Sequence, residues 1–284
     1  MFAGLAVAAV LLLVEGTPLE KAMDAFRKGE YGDAVVEAME VPASDPLYPK
    51  AQLLMGEAHL ALEEWENAEK AFRLVLKSKP DAVPALAGLG RALTGLEKHT
   101  AAMEVLRKAV RLDPKDVGAR RRLGEGLAAQ GKPQDARKEL EQASKIDPKD
   151  PLTARVLVEV LVKAGDVGDA AKAAEGLRAA DPRSAMGDFL RGLVHDRNGS
   201  AKEAIASYEA AIAKDPKFLD AHKNLAILCV ADNPAYRDRE RTDKALAHFE
   251  KYFELGGKDE ELRKVYDTMK SFLGSQKGGT PTGK

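Results

Sequence analysis

Apolar side chains recur along this chain at steps of three and four residues, which is the spacing of one face of an α-helix. One stretch shows the pattern clearly, because two sets of residues at helical spacing are separated by a polar break: Leu53, Met55, Gly56 and His59, then Ala68, Phe72 and Val75. Pro80 follows, and proline cannot continue a helix. The pattern therefore predicts two amphipathic helices joined by a turn.

The same pattern repeats along most of the chain with a period of 34 residues. Six alanines keep this interval: Ala34, Ala68, Ala102, Ala136, Ala170 and Ala204. Six prolines keep it as well: Pro46, Pro80, Pro114, Pro148, Pro182 and Pro216. Two slots that share one period indicate an array of repeats, in which each unit buries its apolar face against its neighbours.

Glycine fills two further slots of the repeat. A glycine within the first helix lets the second helix approach closely, at Gly56, Gly90, Gly124 and Gly192. A glycine at the turn takes the left-handed conformation that commonly follows a helix end, at Gly29, Gly131, Gly165 and Gly199. The repeat thus specifies small residues where helices meet and where the chain reverses.

These slots resemble the tetratricopeptide repeat (TPR) family, which shares the small residue, the alanine, the large apolar residue after it and the closing proline. The resemblance covers about Pro18 to Leu255. It implies an all-α fold, a right-handed α-solenoid of about seven helix–turn–helix units whose concave face binds other proteins. The array is expected over 17–257, and its units are expected to end near 46, 80, 114, 148, 182, 216 and 257.

The last unit departs from the regular spacing. Its alanine slot falls on Asp238, and Ala245, Phe249 and Tyr252 restore the pattern seven residues later. The turn therefore carries an insertion within 231–241. Beyond the array, 258–273 is expected to form a capping helix, because its apolar residues share one face. The Gly-, Thr- and Lys-rich tail 274–284 is expected to be disordered.

The amino-terminal segment 1–16 differs in composition, since 2–14 carries no charged residue. A helix of that length is too short to span a bilayer, which takes about 20 residues. The length is typical of the apolar region of a signal peptide, although no Lys or Arg precedes it. Two interpretations stay open: an exported or membrane-tethered chain, and a mis-assigned start or a buried first helix. Membrane contact is expected only through this segment.

Charge and composition exclude several classes of function. The 44 basic and 45 acidic residues give a net charge of −1, which argues against a nucleic-acid surface. The single cysteine, Cys229, rules out an intramolecular disulfide and a cysteine zinc cluster. The five histidines show no metal-ligand spacing, and His59 and His195 share one packing slot. No catalytic motif is present, so we expect no enzyme, cofactor, metal or small-molecule substrate.

The resemblance places the partner-binding groove on the first helices of the units. The residues expected to be exposed there alternate in charge: Glu57, Arg91, Arg121, Glu125, Arg155 and Glu159. One interpretation is ion pairing on a solvated surface, worth a few tenths of a kcal/mol for each pair. The other is a groove that reads a peptide carrying both charges. The Lys and Asn pattern of chaperone-binding family members is absent. In the basic run 120–122 only Arg121 is clearly expected to face the groove, and so small a patch suits an acidic peptide.

The insertion offers an auxiliary contact through Tyr236, Arg237 and Arg239, because Tyr and Arg are favoured interface anchors. The alternative is a longer connection without a role. The sequence as a whole predicts a non-catalytic scaffold or adaptor that assists assembly of a bacterial envelope complex for secretion, a pilus or motility. It would then work in the periplasm or cell envelope. The alternative is a cytoplasmic regulatory subunit or co-chaperone of an enzyme.

Overall fold

The computed structural model describes residues 16–231 and 238–277. Within these ranges the chain forms fifteen α-helices and no strand. None of the described helices is long and apolar enough to cross a membrane. The fold is therefore all-α, and it is a solenoid of helical hairpins as the repeat predicted.

The chain divides into two compact units, which meet in sequence between Ile146 and Asp147. The first unit contains four hairpins: α1 (Pro18–Lys28) with α2 (Tyr31–Met39), α3 (Tyr48–Ala61) with α4 (Trp65–Ser78), α5 (Val83–Gly95) with α6 (His99–Leu112), and α7 (Val117–Ala129) with α8 (Pro133–Ile146). The second contains three hairpins and a last helix: α9 (Pro151–Ala164) with α10 (Val167–Ala180), α11 (Ala185–Arg197) with α12 (Ala201–Lys214), α13 (Leu219–Ala231) with α14 (Arg239–Glu254), and α15 (Glu260–Lys277).

The alanine slot lies at the centre of each hairpin. All six alanines of the series are 0–1% exposed, and so is Ala245, which takes the slot in the last hairpin. Phe249 and Tyr252 are buried beside it, which confirms that the pattern resumes after the insertion. Asp238, which stands at the regular alanine position, instead caps α14 by accepting a hydrogen bond from the Arg241 amide at 3.1 Å.

Small and large residues are matched within the hairpins. A Cβ on Gly56 would lie 2.6 Å from the Phe72 ring, and one on Gly124 would lie 2.6 Å from Leu140 Cγ. Gly90 faces Leu106 and Gly192 faces Tyr208 at similarly short distances. Close-packed interiors leave no room for an added methyl group at such points. Glycine in this slot is therefore required by the large side chain opposite.

The turn slot adopts the left-handed conformation in every hairpin where it is described. Gly29, Gly131, Gly165 and Gly199 have φ between 70° and 85°. Two units carry glutamate instead, and Glu63 and Glu97 are held at φ of 59° and 58°. A non-glycine residue is disfavoured there because its Cβ approaches the following carbonyl oxygen. The repeat thus imposes the turn even where the side chain opposes it.

The Asp-Pro pairs that close the units act through a local hydrogen bond. The Asp113 carboxylate accepts from the Lys115 amide at 2.9 Å, and Asp215 accepts from the Lys217 amide at 2.9 Å. This contact, an aspartate bonded to the backbone two residues later, fixes a tight turn. It explains why aspartate precedes proline between consecutive hairpins.

The last helix covers the end of the second unit. Tyr266, Met269 and Leu273 of α15 are buried. The helix begins at Glu260 and reaches Lys277, so it continues past the expected end at 273 and into the segment 274–284 that was expected to be disordered. Residues 278–284 lie outside the described ranges, as do 1–15, which include the expected signal-like segment.

Candidate functional site

The first helices of successive hairpins pack side by side within each unit. In the first unit α1 contacts α3, α3 contacts α5, and α5 contacts α7; in the second unit α9 contacts α11. Their exposed side chains form what we call the first-helix surface of each unit. All six charged residues expected in the groove lie on these first helices.

In the first unit, the three arginines at 120–122 differ in their partners. Arg120 donates to the Pro114 carbonyl at 2.7 Å and pairs with Glu139 of α8 at 2.5 Å, so it supports the second helix of its own hairpin. Arg121 pairs with Glu125 at 3.6 Å, and its side chain is only 15% exposed. Both arginines are therefore engaged by carboxylates of their own unit.

Arg122 is the arginine that the sequence reasoning missed. Its side chain is half-buried, and burial lowers the pKa of its guanidinium, while the charge of Glu57 acts in the opposite direction. The charges of Arg121, Arg91 and Glu125 also act on it. In the described ranges no carboxylate lies within ion-pair distance of this guanidinium. Arg122 is thus a partly desolvated cation that lacks a direct acceptor.

The sequence did contain a signal for Arg122. Its slot in the neighbouring repeats holds uncharged residues, Leu54, Gly88, Val156 and Leu190. A charged residue in a slot that is otherwise apolar or small indicates a local requirement other than packing. Arg91, which lies beside it on α5, is exposed and likewise has no ion pair within the part of the chain that the structure describes.

In the second unit, the predicted groove residues bind one another. The Arg155 guanidinium lies 3.0 Å from the Glu159 carboxylate and 2.9 Å from the Asp220 carboxylate. Burial alone would lower the pKa of Arg155, but its hydrogen bonds to these two carboxylates and their charges raise it. Since Asp220 belongs to α13 and Arg155 to α9, the pair connects two first helices that are separated by α11.

Glu159 also lines a cavity on this surface. The cavity has a volume of about 380 Å³ and lies between α9 and α11. Its walls combine apolar and charged side chains: Val158, Glu159, Val162, Lys163, Leu193, Asp196 and Arg197. The second-unit surface is therefore recessed, with both signs of charge at its edge.

Two of the three predicted loop residues, Tyr236 and Arg237, lie outside the described ranges. Arg239 is the first residue of α14, and its guanidinium lies 3.1 Å from Asp243 one turn later. His59 is buried and bonds to Glu64 through Nδ1 at 2.6 Å, which fits a packing role. No group of three or more metal-ligating side chains occurs in the described part of the chain.

Comparison with known proteins agrees with this architecture. A tetratricopeptide repeat model matches residues 19–83, 53–117 and 155–218, and a second model of the same repeat matches 93–152. None of the curated proteins matches the sequence significantly.

Several solved structures share the fold. A tetratricopeptide repeat protein from Parabacteroides merdae is 14% identical, with a TM-score of 0.67 over 89% of this chain and 97% of that one. The type IV pilus biogenesis factor PilW is 24% identical, with a TM-score of 0.62 over 73% of this chain and 96% of that one. A chain of the APC/C Cut9–Hcn1 hetero-tetramer is 15% identical, with a TM-score of 0.62 over 90% of this chain and 49% of that one.

TPR folds generally serve as protein-interaction scaffolds and generally lack catalytic activity. The two repeat models together match 19–152 and 155–218, which is well over half of the sequence. With its helical hairpins, its matched small and large residues and its left-handed turns, this chain belongs to the tetratricopeptide repeat family.

Proposed function

We propose that this protein is a non-catalytic scaffold or adaptor that binds a partner protein on its first-helix surface. The observation that carries the proposal is the pair of arginines on that surface, Arg91 and Arg122, which lack a carboxylate partner in the described ranges. A partly desolvated guanidinium is costly unless an anion neutralises it. A bound partner with acidic side chains supplies that anion.

Each unit carries its own predicted charges on its first-helix surface, and their proposed roles differ. In the first unit Glu57 and Arg91 meet the partner directly with Arg122, while the Arg121–Glu125 pair borders them. In the second unit Arg155 and Glu159 are held by internal ion pairs, so they contact the partner only at their exposed sides. The loop residues Tyr236, Arg237 and Arg239 form an auxiliary contact in this proposal.

The proposed setting is assembly of a bacterial envelope complex. The uncharged stretch 2–14 is the sequence feature that supports export or tethering. PilW, whose solved structure shares this fold, is a type IV pilus biogenesis factor. The alternative, a cytoplasmic regulatory subunit or co-chaperone, predicts a chain that keeps its first 16 residues. An exported chain loses the residues before about Thr17, so the mass of the mature protein in the native host separates export from the cytoplasmic alternative. A tethered chain keeps those residues and is distinguished by its recovery in the membrane fraction.

The binding proposal is tested by affinity capture from the native host followed by mass spectrometry. The wild type is compared with the Arg91→Glu, Arg122→Glu double variant, and Arg107→Glu on α6 is the control because that arginine is exposed on a second helix. We expect one partner to be captured by the wild type and the control and lost by the double variant. Retention by all three proteins would refute binding at the first-helix surface.

A further inference from the structure

An apolar pocket opens on the first-unit surface between α1 and α3. Its volume is about 180 Å³. Leu19, Met23 and Phe26 line it from α1 at steps of four and three residues, and Leu53 and Leu54 line it from α3. Met23 is 36% exposed, so the pocket is open to solvent. We call it the α1–α3 pocket.

One face of α3 lines the pocket and also carries a charge that acts on Arg122. Lys50 and Glu57 complete its lining, and they share a helical face with Leu53 and Leu54 because the four lie at steps of three, one and three residues. Glu57 is also the carboxylate whose charge acts most strongly on Arg122. Apolar and charged recognition elements are therefore continuous on this surface.

The charge on this surface is unbalanced. Lys50 is exposed and, like Arg91 and Arg122, has no ion pair in the described part of the chain. On α3, α5 and α7 these three cations outnumber Glu57, the one carboxylate of those helices besides Glu125, and the Arg121–Glu125 pair contributes no net charge. Guanidinium groups bind carboxylates with two parallel hydrogen bonds, which gives arginine its preference for acidic side chains. The surface therefore complements an anionic partner that also carries an apolar group.

We propose that the first-unit surface binds an extended segment of a partner protein that inserts one large apolar side chain into the α1–α3 pocket and places acidic side chains on Arg91 and Arg122. This inference rests on the proposed function and specifies the chemistry of its partner. Neighbouring helices lie about 8–10 Å apart, and an extended chain advances about 3.3–3.6 Å per residue. Arg91 on α5 is one helix beyond α3 and Arg122 on α7 is two helices beyond it, so the acidic residues lie about three and about five or six positions from the apolar anchor.

The test is a selection of random octapeptides displayed on phage against the full-length protein. We expect enriched peptides to combine Leu, Ile, Met or Phe with one Asp or Glu about three positions away and a second about five or six positions away. Enrichment of peptides that lack acidic residues, or that lack an apolar anchor, would overturn the inference. So would failure of the wild type to enrich any peptide over the Arg91→Glu, Arg122→Glu variant.

Single variants then assign the two halves of the site. Met23→Asp introduces charge into the pocket and Arg122→Gln removes the cation, and each is expected to weaken a selected, fluorescein-labelled peptide at least tenfold. Met39→Asp on α2 and Arg107→Gln on α6 are matched controls, since both side chains are exposed on second helices. Unchanged affinity in Met23→Asp would overturn the apolar anchor, and unchanged affinity in Arg122→Gln would overturn the acidic contact.

Failure of this inference is distinguishable from failure of the proposed function. If the captured partner depends on Arg91 and Arg122 but its binding is unaffected by Met23→Asp, the scaffold function stands and the apolar part of the inference is wrong. If neither arginine affects capture of the partner, both are wrong. Circular dichroism of each variant at 25 °C confirms that lost binding does not reflect unfolding.

Discussion

Four hairpins place glycine on the first helix opposite a large side chain on the second, and one hairpin exchanges the sizes. Val158 takes the glycine slot of that hairpin and Ala174 takes the large-residue slot, and they are 0% and 1% exposed. The same exchange made at Gly124 and Leu140 adds three carbon atoms as Gly124→Val and removes three as Leu140→Ala. The double variant should therefore repack, while each single variant should not.

The magnitudes follow from the local geometry. A Cβ at position 124 would lie 2.6 Å from Leu140 Cγ and 2.9 Å from its Cδ2, so Gly124→Val overpacks the hairpin and costs roughly 1–3 kcal/mol. Leu140 is 0% exposed, and Leu140→Ala leaves a cavity that costs roughly 2–5 kcal/mol. A volume-conserving exchange costs less than about 1.5 kcal/mol. The coupling energy between the two sites is then about 3 kcal/mol.

The assay is a double-mutant cycle on the full-length protein. Urea unfolding gives the free energy of each variant, and hydrogen exchange of the α7 and α8 amides reports the hairpin itself, because repeat arrays unfold locally. Gly124→Val combined with Leu177→Ala in α10 is the control, since these residues belong to different hairpins and their effects should add. Additive losses for Gly124→Val and Leu140→Ala would refute the size-matching argument.

Three further predictions concern the turns, an ion pair and acid stability. Glu63→Gly should stabilise the protein by about 0.5–1 kcal/mol in urea unfolding, because glycine relieves the left-handed strain at φ of 59°. Glu66→Gly inside α4 should destabilise it by a similar amount. A loss of stability in both variants would contradict the strain argument. Asp188→Asn should destabilise the second unit by about 1–3 kcal/mol, because the buried Asp188 carboxylate pairs with Lys214 at 2.5 Å. Asp135→Asn, which breaks an exposed pair with Lys138, should cost less than about 1 kcal/mol, and equal effects would argue against a role for burial. Burial lowers the pKa of His248 to about 4, the neighbouring His222 and Lys244 act in the same direction, and Glu209 acts in the opposite direction. The unfolded chain then binds the proton more readily, so up to about 3 kcal/mol of stability is present above pH 6.5 and is lost as the pH falls through 4. His248→Gln should flatten the melting temperature measured between pH 7.5 and 4.5, and an unchanged pH dependence would exclude this histidine as its source.

The fold could be predicted because its information is local and repeated. Each unit carries the same alanine, glycine and proline slots, and every hairpin packs mainly against its neighbours. A single ambiguous slot, such as Asp238 where alanine was expected, is corrected by Ala245 and the residues that follow it. Because the same slots recur in every unit, the fold can be predicted without knowledge of contacts between residues distant in sequence.

The candidate site was only partly predictable, because ion pairing depends on which side chains meet in space. Spacing placed Arg155 and Glu159 on one helix face, and they do pair, but Asp220 lies 65 residues further on and its approach to Arg155 has no local signature. Arg122 was passed over in favour of Arg121 because helix periodicity alone assigns direction only to within about one residue. The apolar α1–α3 pocket forms where apolar side chains of α1 face apolar side chains of α3. The sequence of either helix alone does not reveal that contact.

The sequence by itself determined the number, order and type of the helices, since repeated slots of fixed spacing dictate where each helix begins, turns and packs. It also determined the balance of charge and the absence of recognisable catalytic motifs. Only the tertiary structure decided which charges neutralise one another and which, as at Arg91 and Arg122, have no ion pair among the described residues. The physical reason is that helix formation depends on neighbours along the chain, whereas neutralisation of a charge depends on neighbours in space.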